Sequence, residues 1–158
     1  ESVSLAQRVL PAEPGITRLA MSALDRAWMD AVPAGPVVIT AEGLFMYLPR
    51  HEVLQLLADC AARFPGGRIV YDSIPPWFSS MTMRGKVRLS GSYVTPPMPN
   101  HQCVSDLPRI VTAVQGVVAA HEVAVPPARA GDPALLAASR LRCVRDLKPM
   151  ITALDFAT

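Results

Sequence analysis

An acidic residue and a glycine directly follow an apolar, β-branched run in residues 36–41, where they could bind a ligand. The residues after the run are Glu42 and Gly43. A continuous apolar run predicts a buried parallel strand, and α/β proteins bind ligands just beyond the carboxyl ends of such strands. Glu42 could accept hydrogen bonds from an ammonium group or from hydroxyls, and Gly43 permits close backbone approach. The alternative is that Glu42 is a surface-loop acid or the charge at a helix N-terminus.

A second acid, Asp72, has the same placement one strand later. The predicted strand 68–72 ends on Asp72, and the clearest helix, 49–64, precedes it with apolar residues at helical spacing. Strand, helix and strand joined by short links predict a parallel, right-handed βαβ unit. Taken alone, Asp72 is more often a strand-end cap than a binding residue.

The rest of the chain alternates between helical and strand patterns, which indicates the α/β class. Helices are predicted over 2–10, 25–32 (with Trp28 facing inward), 107–117 and 132–143. Strands are predicted over 16–21, 118–125 and 150–156.

Residues 74–104 form a long connection with weak regular structure, apart from a helical pattern near 77–86. Such a segment is often a lid or a pocket wall. Soft and aromatic side chains suit a broad, flat organic ligand, and here they are Trp77, Phe78, Met81, Met83, Tyr93 and Met98. The alternative is that they fill space under the loop. His101 lies in the same segment and is the candidate general base.

Composition excludes several classes of function. The chain has 158 residues, 51% of them hydrophobic and 18% charged, with a net charge of +2. No basic cluster indicates nucleic-acid binding, and no apolar run approaches the roughly 20 residues of a membrane helix. Neither a P-loop nor a G-x-G-x-x-G motif is present. The distant cysteines Cys60, Cys103 and Cys143 lack metal-ligand spacing, so we expect no metal and reduced, mostly buried thiols in a cytoplasmic protein.

Several of these motifs together resemble a known family. They are Arg8-Val9-Leu10-Pro11, residues 22–29, Thr40-Ala41-Glu42-Gly43-Leu44-Phe45-Met46-Tyr47-Leu48, residues 64–77 and residues 93–99. In order and spacing the chain resembles the leucine carboxyl methyltransferase-like, class I S-adenosylmethionine-dependent methyltransferases. Within that group it is most similar to the tetracenomycin-type polyketide O-methyltransferases.

The resemblance implies a Rossmann-like methyltransferase sheet with the strand order 3-2-1-4-5-7-6. Residues 1–158 would be the C-terminal portion of one methyltransferase domain, from strand 3 to strand 7. Strands 1 and 2, with the family's glycine-rich loop, would precede Glu1. Strand 4 would then lack a neighbour, so we expect an upstream segment or a second chain to complete the sheet.

The resemblance also assigns roles to single residues. Glu42 matches the strand-4 glutamate near the methionine part of S-adenosylmethionine, and Gly43 adjoins it. Ala23 and Leu24 match an Asp-Leu pair beside the adenine; with alanine at the first position only backbone contacts are expected. The acceptor-site candidates are Tyr47, Trp77, Tyr93 and Met98, and Asn100 replaces a tryptophan that is common in the family.

The implied function is S-adenosylmethionine-dependent methylation of a carboxyl or hydroxyl group on a small aromatic or polyketide-like acceptor. A carboxylate acceptor needs no base, whereas a phenol would benefit from one, which is the role considered for His101. The alternative is a degenerate relative that retains the sheet and acts as a binding or interaction module without catalysis.

Overall fold

A computed structural model describes residues 8–9, 14–88, 92–124 and 142–158, except for the side chains of Arg142 and Cys143. The chain divides into two compact units, Glu1–Ala34 and Gly35–Thr158. Within the described residues, no helix has both the length and the apolar character that crossing a bilayer requires.

The second unit contains a four-stranded sheet. Its strands are β1 (Val38–Ala41), β2 (Arg68–Ser73), β3 (Val117–Val123) and β4 (Met150–Phe156), in the order β1-β2-β4-β3. β1 and β2 are parallel, whereas β4 runs antiparallel to both of its neighbours, β2 and β3. This is the order implied for strands 4, 5, 7 and 6 of the predicted sheet. The α/β class and the Rossmann-like fragment are therefore confirmed.

In the described part of this unit, four α-helices connect or flank these strands: α1 (Arg50–Arg63), α2 (Pro76–Met83), α3 (Leu107–Ala113) and the short α4 (Arg142–Arg145). α1 matches the predicted helix closely because its apolar residues recur on one face. Glu52 in its first turn and Arg63 in its last also complement the helix dipole. α1 buries Val53, Leu56, Leu57, Cys60 and Ala61, and Phe64 just after it is completely buried.

One face of the sheet carries most of the core. Ile69, Tyr71 and Ser73 of β2 alternate with half-buried or exposed residues, as a strand with one covered face should. Their partners on β4 are Leu154, Thr152 and Met150, all buried. Of the two strands that have a neighbour on each side, β2 and β4, β4 is the more buried.

β1 is parallel to β2, as predicted, but it is not buried. Its residues alternate between exposed and half-buried, and the side chain of Val38 is 73% exposed. The physical reason is its position: among the described residues of the Gly35–Thr158 unit, β1 is an edge strand that pairs only with β2. The apolar sequence indicated burial, but a strand is buried only where other elements pack over its side chains.

Other predictions need correction. Residues 16–20 form no regular element in place of the predicted strand 16–21. The predicted helix 25–32 is a 3₁₀ helix, Arg26–Ala31, in which Met29 rather than Trp28 is buried. The helix predicted over 107–117 ends at Ala113, because Gly116 has a φ of +84° and a turn starts β3 at Val117.

Two predicted helices lie almost wholly outside the described residues. Only residues 8–9 of helix 2–10 are described, and they are helical. Helix 132–143 overlaps the described part only at α4. Cys60 and Cys103 are buried and neither is in a disulfide, as expected, whereas the side chain of Cys143 is outside the described set. A cytoplasmic location stays a prediction.

Candidate functional site at the carboxyl ends of β1 and β2

The carboxyl ends of the two parallel strands meet through a direct hydrogen bond. The last paired residues are Ala41 and Tyr71, so Glu42 and Asp72 follow at the same level of the sheet. The Gly43 N–H donates to Asp72 Oδ1 at 2.8 Å. The two acids found separately in the sequence thus belong to one site.

Glu42 itself is exposed, and Gly43 provides the turn that follows it. Gly43 has a φ of +60°, a left-handed conformation that L side chains rarely adopt. Apart from Gly43 and its two chain neighbours, no described residue has an atom within 4 Å of where a Cβ on Gly43 would stand. A ligand could therefore approach the backbone here, next to an accessible carboxylate.

A 3₁₀ helix, Phe45–Tyr47, continues from this turn and is anchored by its apolar residues. Phe45 and Met46 are buried, and the Phe45 ring lies 5.0 Å from the Tyr71 ring, centroid to centroid. Tyr47 is 43% exposed. Of the three residues in this helix, Tyr47, the acceptor-site candidate, is therefore the one that faces outward.

Residues 98–102 of the predicted lid are bonded to the elements around this site. The Met98 carbonyl accepts from Ser79 Oγ at 2.7 Å, and its N–H donates to Thr82 Oγ1 at 3.2 Å. Asn100 Nδ2 donates to the Phe45 carbonyl at 3.0 Å, and the Asn100 N–H donates to the Met46 carbonyl at 3.3 Å. This part of the segment therefore covers the Phe45–Tyr47 helix.

The four acceptor-site candidates divide by exposure. Met98 is buried and packs with Met46 and Ile74 against half-buried Phe78, so it contributes to a small apolar core. Trp77 and Tyr93 are 47% and 56% exposed. The Trp77 Nε1–H donates to the Leu147 carbonyl at 2.8 Å, which leaves the ring available for stacking but not the donor.

His101, the candidate base, is exposed at the surface, and its carbonyl accepts from Arg50 Nη1 at 3.3 Å. Ala23 and Leu24 belong to the Glu1–Ala34 unit, where the Ala23 carbonyl accepts from Trp28 Nε1 and the Leu24 carbonyl from Arg26. Their contact with an adenine stays a prediction.

A buried polar network under the site was missed in the sequence. Tyr71 Oη donates to Gln102 Oε1 at 2.8 Å, and Gln102 Nε2 donates to Thr152 Oγ1 at 2.9 Å. The Gln102 N–H also donates to the Ile74 carbonyl. Burial is the largest cause that raises the pKa of Tyr71, to about 12. A glutamine in a loop gives no periodic signal, so only the fold shows that it joins β2, β4 and the segment above them.

The opposite end of the sheet has a different character. A cavity of about 420 Å³ lies there, between the start of β1, the start of β2 and the end of β4; it is lined in part by Val38, Gly67, Arg68, Asp155 and Phe156. Arg68 forms an ion pair with Asp155, which lowers the pKa of that carboxyl, and His121 contacts the same carboxylate. Among the residues the structure describes, no three His, Cys, Asp or Glu side chains are grouped to hold a metal ion.

Comparison with known proteins supports the methyltransferase resemblance for part of the chain. No family model matches it. Over 76 residues the chain is 29% identical to the tetracenomycin polyketide synthesis O-methyltransferase TcmP of Streptomyces glaucescens, a stretch that is 48% of this chain and 28% of that protein. The chain thus spans less than a third of the curated relative it matches.

Two solved structures share a partial likeness at 12% identity. An O-methyltransferase family protein from Burkholderia thailandensis matches with a TM-score of 0.46, over 89% of this chain and 35% of that one. A SAM-dependent methyltransferase from Archaeoglobus fulgidus matches with a TM-score of 0.48, over 91% of this chain and 69% of that one. The strand order, rather than these superpositions, identifies the fold.

Proposed function

We propose that this chain is part of an S-adenosylmethionine-dependent O-methyltransferase that acts on a carboxyl or hydroxyl group of a small aromatic or polyketide-like acceptor. The observation that carries the proposal is the hydrogen bond from Gly43 to Asp72, which joins the carboxyl ends of two parallel strands beside an exposed Glu42. Ligands of open α/β sheets bind at this end. The similarity to an O-methyltransferase of polyketide synthesis supports the type of reaction.

The residues at this end fit the proposed cofactor. An exposed carboxylate suits a ligand that carries an ammonium group, and the open space above Gly43 suits a close backbone approach. When bound, S-adenosylmethionine supplies a methyl group activated by a sulfonium. Glu42 would bind the cationic amino-acid part, and the turn at Gly43 would keep that carboxylate in place.

The chain's own contribution to methyl transfer is positioning and electrostatics. Tyr47 and Trp77 present exposed rings, which suit an aromatic acceptor, and Tyr93 is a third exposed ring of the predicted lid. Met98 would support this site indirectly, by packing against Met46 of the Phe45–Tyr47 helix. His101 would accept the proton of a phenolic hydroxyl, whereas a carboxylate acceptor would leave it without a role.

Titration of the purified natural protein with S-adenosylmethionine in a calorimeter tests the proposal. We expect saturable binding that Glu42→Gln weakens by roughly tenfold, because the substitution removes a charge-assisted hydrogen bond. Glu52→Gln on α1 is the matched control and should bind normally. Absence of heat at millimolar cofactor would refute the enzyme and leave the binding-module alternative. Binding that Glu42→Gln does not change would refute the assigned site.

We also propose that another strand, from an upstream segment or a second chain, pairs along the free edge of β1. Its support is that β1, an apolar strand, is paired on one side alone among the described residues, since natural proteins rarely leave such an edge uncovered. Hydrogen exchange of the natural protein tests this, with the other edge strand, β3, as the internal control. Slow exchange throughout β1 beside faster exchange in β3 is expected. Equally fast exchange at both edges would contradict the proposal.

A further inference from the structure

Asp72 and the turn after β1 are coupled across the sheet. The Asp72 carboxylate accepts the N–H of Gly43, a residue 29 positions away in the chain, at 2.8 Å. That N–H belongs to the peptide bond joining Glu42 to Gly43. Because a peptide unit is planar, fixing the direction of its N–H also fixes the carbonyl of Glu42 and limits where the Glu42 side chain can point.

We infer that Asp72 is a positioning residue for the proposed cofactor site, acting through the Glu42–Gly43 peptide rather than by touching the cofactor. The inference rests on the proposed function, since it assigns a purpose to the orientation of Glu42. It adds a residue to which the resemblance assigns no role.

The acceptor in this bond is the more rigid partner. β2 extends through Ser73, and Asp72 pairs there with Ile151 on β4, so its backbone is fixed in the sheet. The β1–β2 ladder ends one residue before Glu42, at the Ala41–Tyr71 pair. The Asp72 side chain on β2 thus binds the first residues that follow β1.

The donor side is fixed from its other end as well. After Gly43 the chain enters the Phe45–Tyr47 helix, where Phe45 and Met46 are buried and both carbonyls accept hydrogen bonds from Asn100. Between this anchor and β1, Gly43 has no Cβ to restrict its φ, which is +60° here, so the peptide could rotate unless something binds it. The bond to Asp72 removes that freedom before a ligand arrives, which lowers the ordering cost of binding.

Three substitutions at position 72 separate geometry from charge. Asp72→Asn keeps an oxygen acceptor at the same place without the charge. Asp72→Glu keeps the charge but moves the oxygen by one methylene, and Asp72→Ala removes both. Asp155→Ala, at the opposite end of the sheet, is the matched control because it also removes a hydrogen-bonded strand carboxylate.

Two measurements on the natural protein are needed: S-adenosylmethionine affinity by calorimetry, and the hydrogen-exchange rate of the Gly43 amide without ligand. We expect Asp72→Ala and Asp72→Glu to weaken binding and to speed Gly43 exchange by roughly tenfold each, the effect of losing one hydrogen bond. Asp72→Asn and Asp155→Ala should stay near the wild type in both. If Asp72→Ala does not fold, Asp72→Glu supplies the same comparison.

Two results would overturn the inference. If Asp72→Asn weakens binding as much as Asp72→Ala while Gly43 exchange stays slow, Asp72 acts by its charge. If no substitution at 72 changes Gly43 exchange, the bond does not position the turn. Should the wild type fail to bind S-adenosylmethionine, the proposed function fails, and the exchange rates alone then decide whether Asp72 orders the turn.

Discussion

The two ends of the four-stranded sheet are built from different interactions. At the amino ends of β1 and β2 the charges pair with one another: Arg68 and His121 both contact Asp155, beside the cavity of about 420 Å³. At the carboxyl ends the hydrogen bonds connect backbone to side chains from distant segments, among them Gly43 to Asp72 and Phe45 to Asn100. Glu42 there remains exposed.

This difference shows why the cavity at the amino ends is the weaker candidate for the ligand. The Asp155 carboxylate that lines it is already paired with Arg68 and in contact with His121, so a ligand would have to compete with them. The carboxyl ends offer instead an accessible acid on a turn that is already ordered, and preorganised polar groups are what binding and catalytic sites require. The buried network of Tyr71, Gln102 and Thr152 lies beneath this end and gives it rigidity.

The largest expected effect comes from breaking that network. Gln102→Leu keeps the volume but leaves the Tyr71 and Thr152 hydroxyls without their glutamine partner, which should lower the free energy of unfolding by about 4 kcal/mol. Urea denaturation measures it. His101→Ala, the exposed neighbour, should change stability by less than about 0.5 kcal/mol. Equal, small effects would show that the carboxyl end does not depend on the network.

The alkaline pH dependence of stability is the next largest effect. Burial raises the pKa of Tyr71 from 10.0 to about 12. Because the folded state favours the neutral phenol, this stabilisation is complete below about pH 10 and is lost as the pH rises towards 12, for a total of about 3 kcal/mol. The free energy of unfolding, measured from pH 9 to 12, should therefore fall more steeply in the wild type than in Tyr71→Phe. Parallel curves would indicate that the Tyr71 hydroxyl is exposed to water in the folded state.

The smallest effect is expected at the amino end. The bond from Arg68 lowers the pKa of Asp155, so its contribution to stability is present above the ordinary carboxyl pKa and is lost as the pH falls through the lowered value. Asp155→Asn should therefore make stability less sensitive to acid, with little change in cofactor affinity. Denaturation at neutral and acidic pH measures the first, and calorimetry the second. Weakened binding in this variant would indicate that the ligand binds at the amino end instead.

The sequence predicted the elements whose patterns depend on one strand or helix alone. The bounds of β4, 150–156, were predicted to the residue, and α1 nearly so, because alternation and helical spacing are local signals. The prediction of a strand over 16–21 was wrong because a short apolar run forms a strand only when it pairs with another strand. The burial of β1 was overestimated for the same reason: the sequence does not show how many neighbours a strand has.

The candidate site was predictable in its parts but not in its connections. Glu42 and Asp72 were recognisable as strand-end acids, yet nothing in the sequence indicates that one holds the backbone beside the other. The anchoring roles of Asn100 and Gln102 were equally hidden, because an amide side chain in a loop has no pattern. Met98 was predicted to face a ligand from its methionine-rich and aromatic surroundings, and its burial with Met46 shows that such residues also supply core.

Amide shifts on adding S-adenosylmethionine to the nitrogen-15-labelled natural protein test the central claim most directly, namely that the ligand binds at the carboxyl ends of β1 and β2. The account predicts that the amides of Gly43 and Asp72 move with cofactor concentration and saturate, while those of Gly67 and Phe156 at the amino end stay in place. Shifts confined to Gly67 and Phe156, or no shifts at millimolar cofactor, would contradict it.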